Sequence, residues 1–172
     1  MNSANTNPAA PAPFDKLPLD AMALVVLKQF RVIYGSVRQH FRDVELRCGV
    51  SGSQLWLIHE IARTPGCGVS ELASRLSIHQ STCSQLVEKL IAKGLVSKVR
   101  KPDDQRRVGL HLRDEAAQVL ALAPGPFEGV LPQALQGLPS EVLTQLHRNL
   151  AQVVANLTDR DELSAERPLS DL

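Results

Sequence analysis

Residues 79–89 read HQSTCSQLVEK, a run in which hydrogen-bonding side chains outnumber apolar ones. Cys83 and Leu86, continued by Leu90 and Ile91, recur at helical spacing and mark one face. That leaves His79, Gln80, Ser81, Thr82, Ser84, Gln85 and Lys89 pointing away from it. A glutamine amide matches the N6 and N7 edge of adenine, whereas hydroxyls and an ammonium group suit phosphate oxygens. Gln80 and Gln85 are therefore assigned to base edges, and Ser81, Thr82, Ser84 and Lys89 to phosphates. The helix N-terminus supplies further backbone donors. The plainer alternative for each side chain is solvation, with His79 serving as a cap.

A second polar cluster follows at residues 101–107, KPDDQRR, a turn too charged to be buried. Asp104 and Arg106 stand two apart, so the carboxylate can hold the turn or the guanidinium while Arg106 probes a minor groove. The narrow A·T-rich form of that groove attracts arginine. Arg107 and Lys101 would sit nearer the sugar–phosphate backbone. An ion pair of no consequence is the competing reading of Asp104 and Arg106.

The elements that must carry these clusters run from Ser70 to Leu112. Leu72, Ala73 and Leu76 give a first short helix, and the 79–93 run a second, which Gly94 can end. The period then changes to two, with Leu95 and Val99 in one strand and Val108, Leu110 and Leu112 in the next. Two angled helices followed by a basic hairpin describe a winged helix-turn-helix, with the second helix in a major groove and the hairpin in a neighbouring minor groove. Charge agrees. Residues 70–113 hold nine Lys and Arg against four acids, a balance of +5, while the rest of the chain is −4.

The stretch QSTCSQLVEKLIAKGLVSKVRKPDDQRRVGLHL resembles the recognition helix and wing of the multiple-antibiotic-resistance regulator (MarR) family. The motif positions are Ser81 and Thr82, Leu90 through Gly94 to Val96, and Asp104 with Arg106; SGSQLWLIHEIA at 51–62 is similar to the family's preceding helix. The likeness covers roughly residues 20–157. It implies an obligate homodimer that represses, less often activates, transcription, tuned by a small molecule or by thiol oxidation. Two departures stand out: a long N-terminal tail, and Arg113 where the family often has Thr.

Around the module, the expected fold is mainly α with a small β-wing. A disordered tail is expected over residues 1–17, one domain over 18–158 and a flexible acidic tail over 159–172. Within the domain, the winged helix-turn-helix spans about 53–113, and dimerisation helices span about 19–47 and 114–158. The later helix should break at APGP, residues 123–126, and resume from Phe127 to Gln136. The last helix should open at Pro139–Ser140 with Ser140 as cap. The terminal helices carry more apolar surface than one winged-helix core can cover, which favours pairing with a second copy on a pseudo-palindromic duplex.

The three cysteines are odd in number and lack metal spacing, so neither a disulfide framework nor a metal site is expected. Cys83 lies on the buried stripe, Cys67 is expected to be exposed between two glycines, and Cys48 follows Arg47. The family's peroxide sensors carry a cysteine early in the first helix, and this chain has none there. A small-molecule effector is therefore preferred. In the resembled family, aromatic carboxylates or phenols bind between dimer helices and winged lobe, where Tyr34, Arg38, His40, Trp56 and His59 are the candidates. An arginine, histidines and a tryptophan can pair a carboxylate and stack a ring.

No nucleophile motif, phosphate-binding glycine loop or cofactor site is present, which argues against an enzyme. No apolar run approaches a membrane span, and the start of the chain lacks signal-peptide features, so a cytoplasmic protein is expected. The remaining alternatives are a thiol-based redox regulator and a winged helix used only for protein contacts.

Overall fold

In the computed structural model, the backbone is described for residues 13–101 and 104–171, and side chains at 101 and 104–107 are not. Helix α1 runs Leu19–Cys48, α2 Gly52–Arg63, α3 Val69–Leu76 and α4 Gln80–Ala92. An antiparallel pair follows, β1 Val96–Lys101 and β2 Asp104–Leu112, and then α5 Asp114–Leu122, α6 Val130–Gln136 and α7 Ser140–Ala155. Contacts divide the chain into two compact units, up to Gly35 and from Ser36 onward. The first holds a 3-10 turn at Phe14–Lys16 and the N-terminal half of α1, whose Leu24, Leu27, Phe30 and Ile33 are exposed.

The second unit has one core. Leu55, Leu57, Ile58 and Ile61 of α2 meet Leu72 and Leu76 of α3, and Cys83, Leu86, Val87 and Leu90 of α4. Val96, Leu110, Ala116, Val119 and Val44 close it. Local chemistry places the ends of these helices. Ser51 caps α2 in a reciprocal box: its Oγ accepts from Gln54 N–H (3.3 Å) and Gln54 Oε1 accepts from Ser51 N–H (3.2 Å). Helix α3 stops at Ser77, which takes a left-handed conformation (φ 52°) and turns the chain into α4. Gly94 (φ 72°) performs the same service between α4 and β1.

The hairpin is anchored at its base. Val96 pairs with Leu112 and Arg100 with Val108, and the register then slips so that Lys101 pairs with Asp104. Gly66 N–H donates to Leu110 O (2.8 Å) and Leu110 N–H to Cys67 O (2.9 Å), tying β2 to the loop before α3. That approach needs Gly109: a Cβ there would lie 2.8 Å from Gly66 O.

Several expectations change. The 101–107 segment is not all turn, because the strands run on to Lys101 and from Asp104. Leu95 is buried just before β1, whereas Val99 is 47% exposed, since only the base of the hairpin meets the core. Cys67 is buried, not exposed, because its backbone bonds to Leu110 draw it under the hairpin. After the break, helix resumes at Val130 and not at Phe127, which packs against the core. Ser140 does not cap α7; it is the first helical residue, and its carbonyl accepts from Thr144 Oγ1 (2.8 Å). Of the residues read as an N-terminal tail, 1–12 lie outside the described residues, and Phe14–Lys16 form the turn noted above. Within the segment 159–172, read as a flexible tail, Glu162–Glu166 and Leu169–Asp171 form 3-10 turns, hydrogen-bonded to the start of α4 and to α2, and residue 172 lies outside the described residues.

The Gly66–Gly109 approach sets a test. Gly109→Ala should destabilise by about 1–3 kcal/mol in urea unfolding, because two backbones must separate. Gly68→Ser, at the uncapped start of α3 with nothing within 4 Å, should be neutral or stabilising by roughly a few tenths of a kcal/mol.

Candidate nucleic-acid interface

Helix α4 is held by its buried stripe and by its first turn. His79 is the N-cap: Nδ1 accepts from Ser81 N–H (3.4 Å) and shares a hydrogen bond with Ser81 Oγ (2.9 Å). The N–H of His79 itself donates to the Glu166 carbonyl (3.1 Å). With Cys83, Leu86, Val87 and Leu90 turned inward, Ser81, Gln85 and Lys89 are exposed along the opposite face. Ser84 and Thr82 are half-buried, Ser84 on that face and Thr82 at its edge, while Gln80 is exposed at the first turn. Ser81, Gln85 and Lys89 therefore share the outer side of the helix with Ser84 and Thr82 at its margins, whereas Gln80 is exposed at the helix end on the side of Val87. His79, one of the outward residues in the sequence reading, caps.

One residue on that face was missed. Glu88 falls between Ser84 and Lys89 on the helix surface, and its carboxylate pairs with Lys98 of β1. The pair ties the helix to the wing and neutralises the acid that an incoming polyanion would meet. The signal for it was the Glu88 position one helical turn after Ser84, although the sequence reading entered it only in the charge balance. Arg75 pairs with Glu71 (3.3 Å), Arg113 with Glu115 (3.9 Å), and Lys93 Nζ donates to Gly49 O (2.7 Å). Lys89 and Arg100 have no ion-pair partner among the described residues. The backbones of Lys101, Asp104, Arg106 and Arg107 lie at the far end of the hairpin, but the side chains of these residues lie outside the described residues.

Of the effector candidates, Tyr34 belongs to the first unit and Arg38, His40, Trp56 and His59 to the second. Tyr34, in the first unit, is 62% exposed, and Arg38 is exposed on α1. Trp56 is half-buried against the core. His40 and His59 are brought to the same loop. His59 stacks on Phe127 with centroids 4.3 Å apart, and His40 bonds to the backbone of Pro126. Burial holds the His40 imidazole below its ordinary value of 6.5, against the opposing pull of the Pro126 bond and Asp43, so it is neutral at physiological pH. His40 Nε2 and His59 Nδ1 are both buried without a hydrogen-bond partner. Among the described residues, no cluster of His, Cys, Asp and Glu could hold a metal ion, and no helix is long and apolar enough to cross a membrane.

The model of the MarR family matches residues 49–107, which run from the start of α2 through most of the hairpin. A curated protein of Thauera aromatica, described as a putative transcriptional regulatory protein for the hcr operon, is 28% identical over 129 residues, covering 71% of this chain and 78% of its own. Over residues 49–107 the chain is similar to the MarR family. The fold is that of a MarR winged helix. The transcriptional regulator BldR from Sulfolobus solfataricus aligns over 82% of this chain and all of its own at 22% identity, with a TM-score of 0.50. A MarR family transcription regulator aligns over 79% of this chain and 89% of its own at 18% identity, with a TM-score of 0.51. Where the MarR pattern often has Thr after the second strand, Arg113 stands at the N-cap of α5 and makes no side-chain cap.

The cysteines are poorly placed for thiolate chemistry. Burial pushes the Cys83 thiol up to about 11, its Sγ donating to Val69 O, and burial likewise raises Cys67 and Cys48. In native protein at pH 8, an aromatic disulfide reagent should therefore titrate at most the half-buried Cys48 quickly. Cys67 and Cys83 should react only on unfolding. Rapid labelling of all three would contradict this placement.

Proposed function

We propose that this protein is a regulator of the MarR family, cytoplasmic and homodimeric, that binds a pseudo-palindromic duplex and represses transcription until a small aromatic carboxylate or phenol releases it. The observation that carries the reading is the outer face of α4, where Ser81, Ser84, Gln85 and Lys89 surround an acid that Lys98 neutralises. Gln85 and Gln80 read base edges, Ser81, Thr82, Ser84 and Lys89 hold phosphates, and Arg106, positioned by Asp104, enters the minor groove with Lys101 and Arg107 alongside. In this reading the winged module spans about residues 53–113, within a single domain over 18–158.

Dimerisation follows from the apolar surface left uncovered. Leu24, Leu27, Phe30 and Ile33 on α1, and Val142, Leu150, Val153 and Val154 on α7, are all exposed. A second copy provides a self-complementary cover, and a two-fold dimer presents its α4 helices to half-sites about one DNA turn apart, roughly 34–36 Å. Analytical ultracentrifugation at micromolar concentration should give twice the chain mass; a clean monomer would remove this part of the account.

Base reading and phosphate holding have different signatures. Lys89→Ala should weaken all duplexes alike and flatten the log–log salt dependence by about 0.9 per lost phosphate contact. Gln85→Ala should relax one base-pair preference in each half-site, at a cost of roughly 1–3 kcal/mol. Arg106→Ala should largely abolish specific binding while leaving the dimer intact. An unchanged site preference after Gln85→Ala, in selection from randomised duplexes, would defeat its assignment.

The ligand reading is supported by the convergence of His40 and His59 on the Pro126–Phe127 loop. A phenol hydroxyl there could donate to His40 Nε2, and His59 Nδ1, in the tautomer that protonates it, could donate to a carboxylate or phenol oxygen. Such a ligand lowers DNA affinity only through its differential affinity for two lobe arrangements, typically about 1–3 kcal/mol. A triple variant, Cys48→Ser with Cys67→Ser and Cys83→Ser, should still be released from DNA by an aromatic acid. His59→Phe and Arg38→Ala should blunt that release. Peroxide-driven release lost in the triple variant would favour the thiol-sensing alternative instead. A winged helix used only for protein contacts would bind no duplex in any of these experiments.

A further inference from the structure

Residues 159–171 carry Asp159, Asp161, Glu162, Glu166 and Asp171 against only Arg160 and Arg167. They return from α7 to the N-terminal ends of two helices. The Glu166 carbonyl accepts from the N–H of His79, the residue that caps α4 (3.1 Å). Ser170 Oγ accepts from Ser53 N–H at the start of α2 (2.9 Å), and Asp171 Oδ1 accepts from both Ser53 Oγ and Ser170 Oγ (2.9 Å each). Within the segment, Ser164 Oγ donates to Asp161 Oδ2 (2.7 Å), which Arg167 approaches to 4.0 Å. Pro168 is buried, yet Leu163 and Leu169 stay exposed. The segment is thus fastened by a handful of hydrogen bonds and one proline, with little apolar burial, which is the makeup of an element that opens without global unfolding.

We propose that this segment is an acidic strap that competes with duplex DNA for the entry end of α4, an inference that rests on the DNA-binding reading above. The first turn of a helix offers backbone donors and a partial positive charge, which is where a phosphate docks. Here a chain carbonyl already occupies the His79 donor, and the carboxylates of Glu162 and Glu166 belong to the same short turn. A duplex approaching α4 either displaces the strap or meets its charge within a Debye length, roughly 8–10 Å. The strap therefore acts as an internal counterion: it holds affinity for polyanions down and leaves fewer salt ions to be released on binding.

Two full-length variants separate seating from charge. Pro168→Gly with Asp171→Ala unseats the strap; Glu162→Gln with Glu166→Gln keeps every hydrogen bond described here and removes two charges. Binding of a labelled random-sequence duplex, and of the duplex that the wild-type protein selects, is followed by anisotropy from 50 to about 300 mM salt. Both variants should bind the random duplex roughly three- to tenfold more tightly near 0.1 M salt, with a steeper salt dependence. Hydrogen exchange at the His79 amide should be slow in free wild-type protein and fast in the free first variant. Equal or weaker binding by both variants, or fast exchange at His79 in the free wild-type protein, overturns the strap while leaving DNA binding standing. Absence of duplex binding by wild-type protein and variants alike overturns the DNA-binding reading, and the strap with it.

Discussion

The burial of Cys83, Leu86, Val87 and Leu90 against α2 and α3 decides which way α4 looks. Each large apolar side chain is worth about 1.5–3 kcal/mol when removed from water, so the stripe outweighs any preference of the outer side chains. Rotating the helix by one residue would bring Glu88 or Lys89, according to the sense of rotation, toward the core, where an unpaired charge costs far more than the hydrogen bonds it could recover. The outer face is therefore a consequence of packing. Its polar side chains are presented by a scaffold whose stability does not depend on them.

The hairpin depends on the same core through a narrower connection. Gly94 turns the chain out of α4, Val96 and Leu110 pin the base of the strands, and the Gly66–Gly109 approach locks β2 to the loop before α3. Beyond Arg100 the strands leave the core and the register slips. The base of the hairpin is thus fixed to α4 and to the loop before α3. Surface ion pairs such as Arg75–Glu71 contribute little to stability, typically 0–1 kcal/mol. The Glu88–Lys98 pair matters more for what it hides, since it removes a negative charge from a face otherwise suited to phosphate.

Period and punctuation made most of this legible. The change from helical to two-residue spacing after Gly94, the breakers at residues 64–68 and the prolines at 124 and 126 located the helices and hairpin to within a few residues. Long-range contacts did not announce themselves. Cys67 looked exposed between glycines, and only pairing with Leu110, more than forty residues away, buries it. The polar tail after Asn156 carries no hydrophobic period, yet Ser170 and Asp171 find donors on Ser53. Of the effector candidates, His40 and His59 meet at a loop whose path is set by chain reversal, which local spacing cannot encode. Glu88 was not assigned to that face because its partner, Lys98, lies on another element.

The account stands on α4 as a DNA-reading helix. Amide chemical-shift mapping of the isotope-labelled protein against an unlabelled duplex tests it most directly. Perturbations should concentrate in residues 79–89 and in the hairpin from Arg100 to Val108, with the buried stripe of α2 unaffected. Perturbations confined to α1 and α7, or none at saturating duplex in low salt, would contradict it.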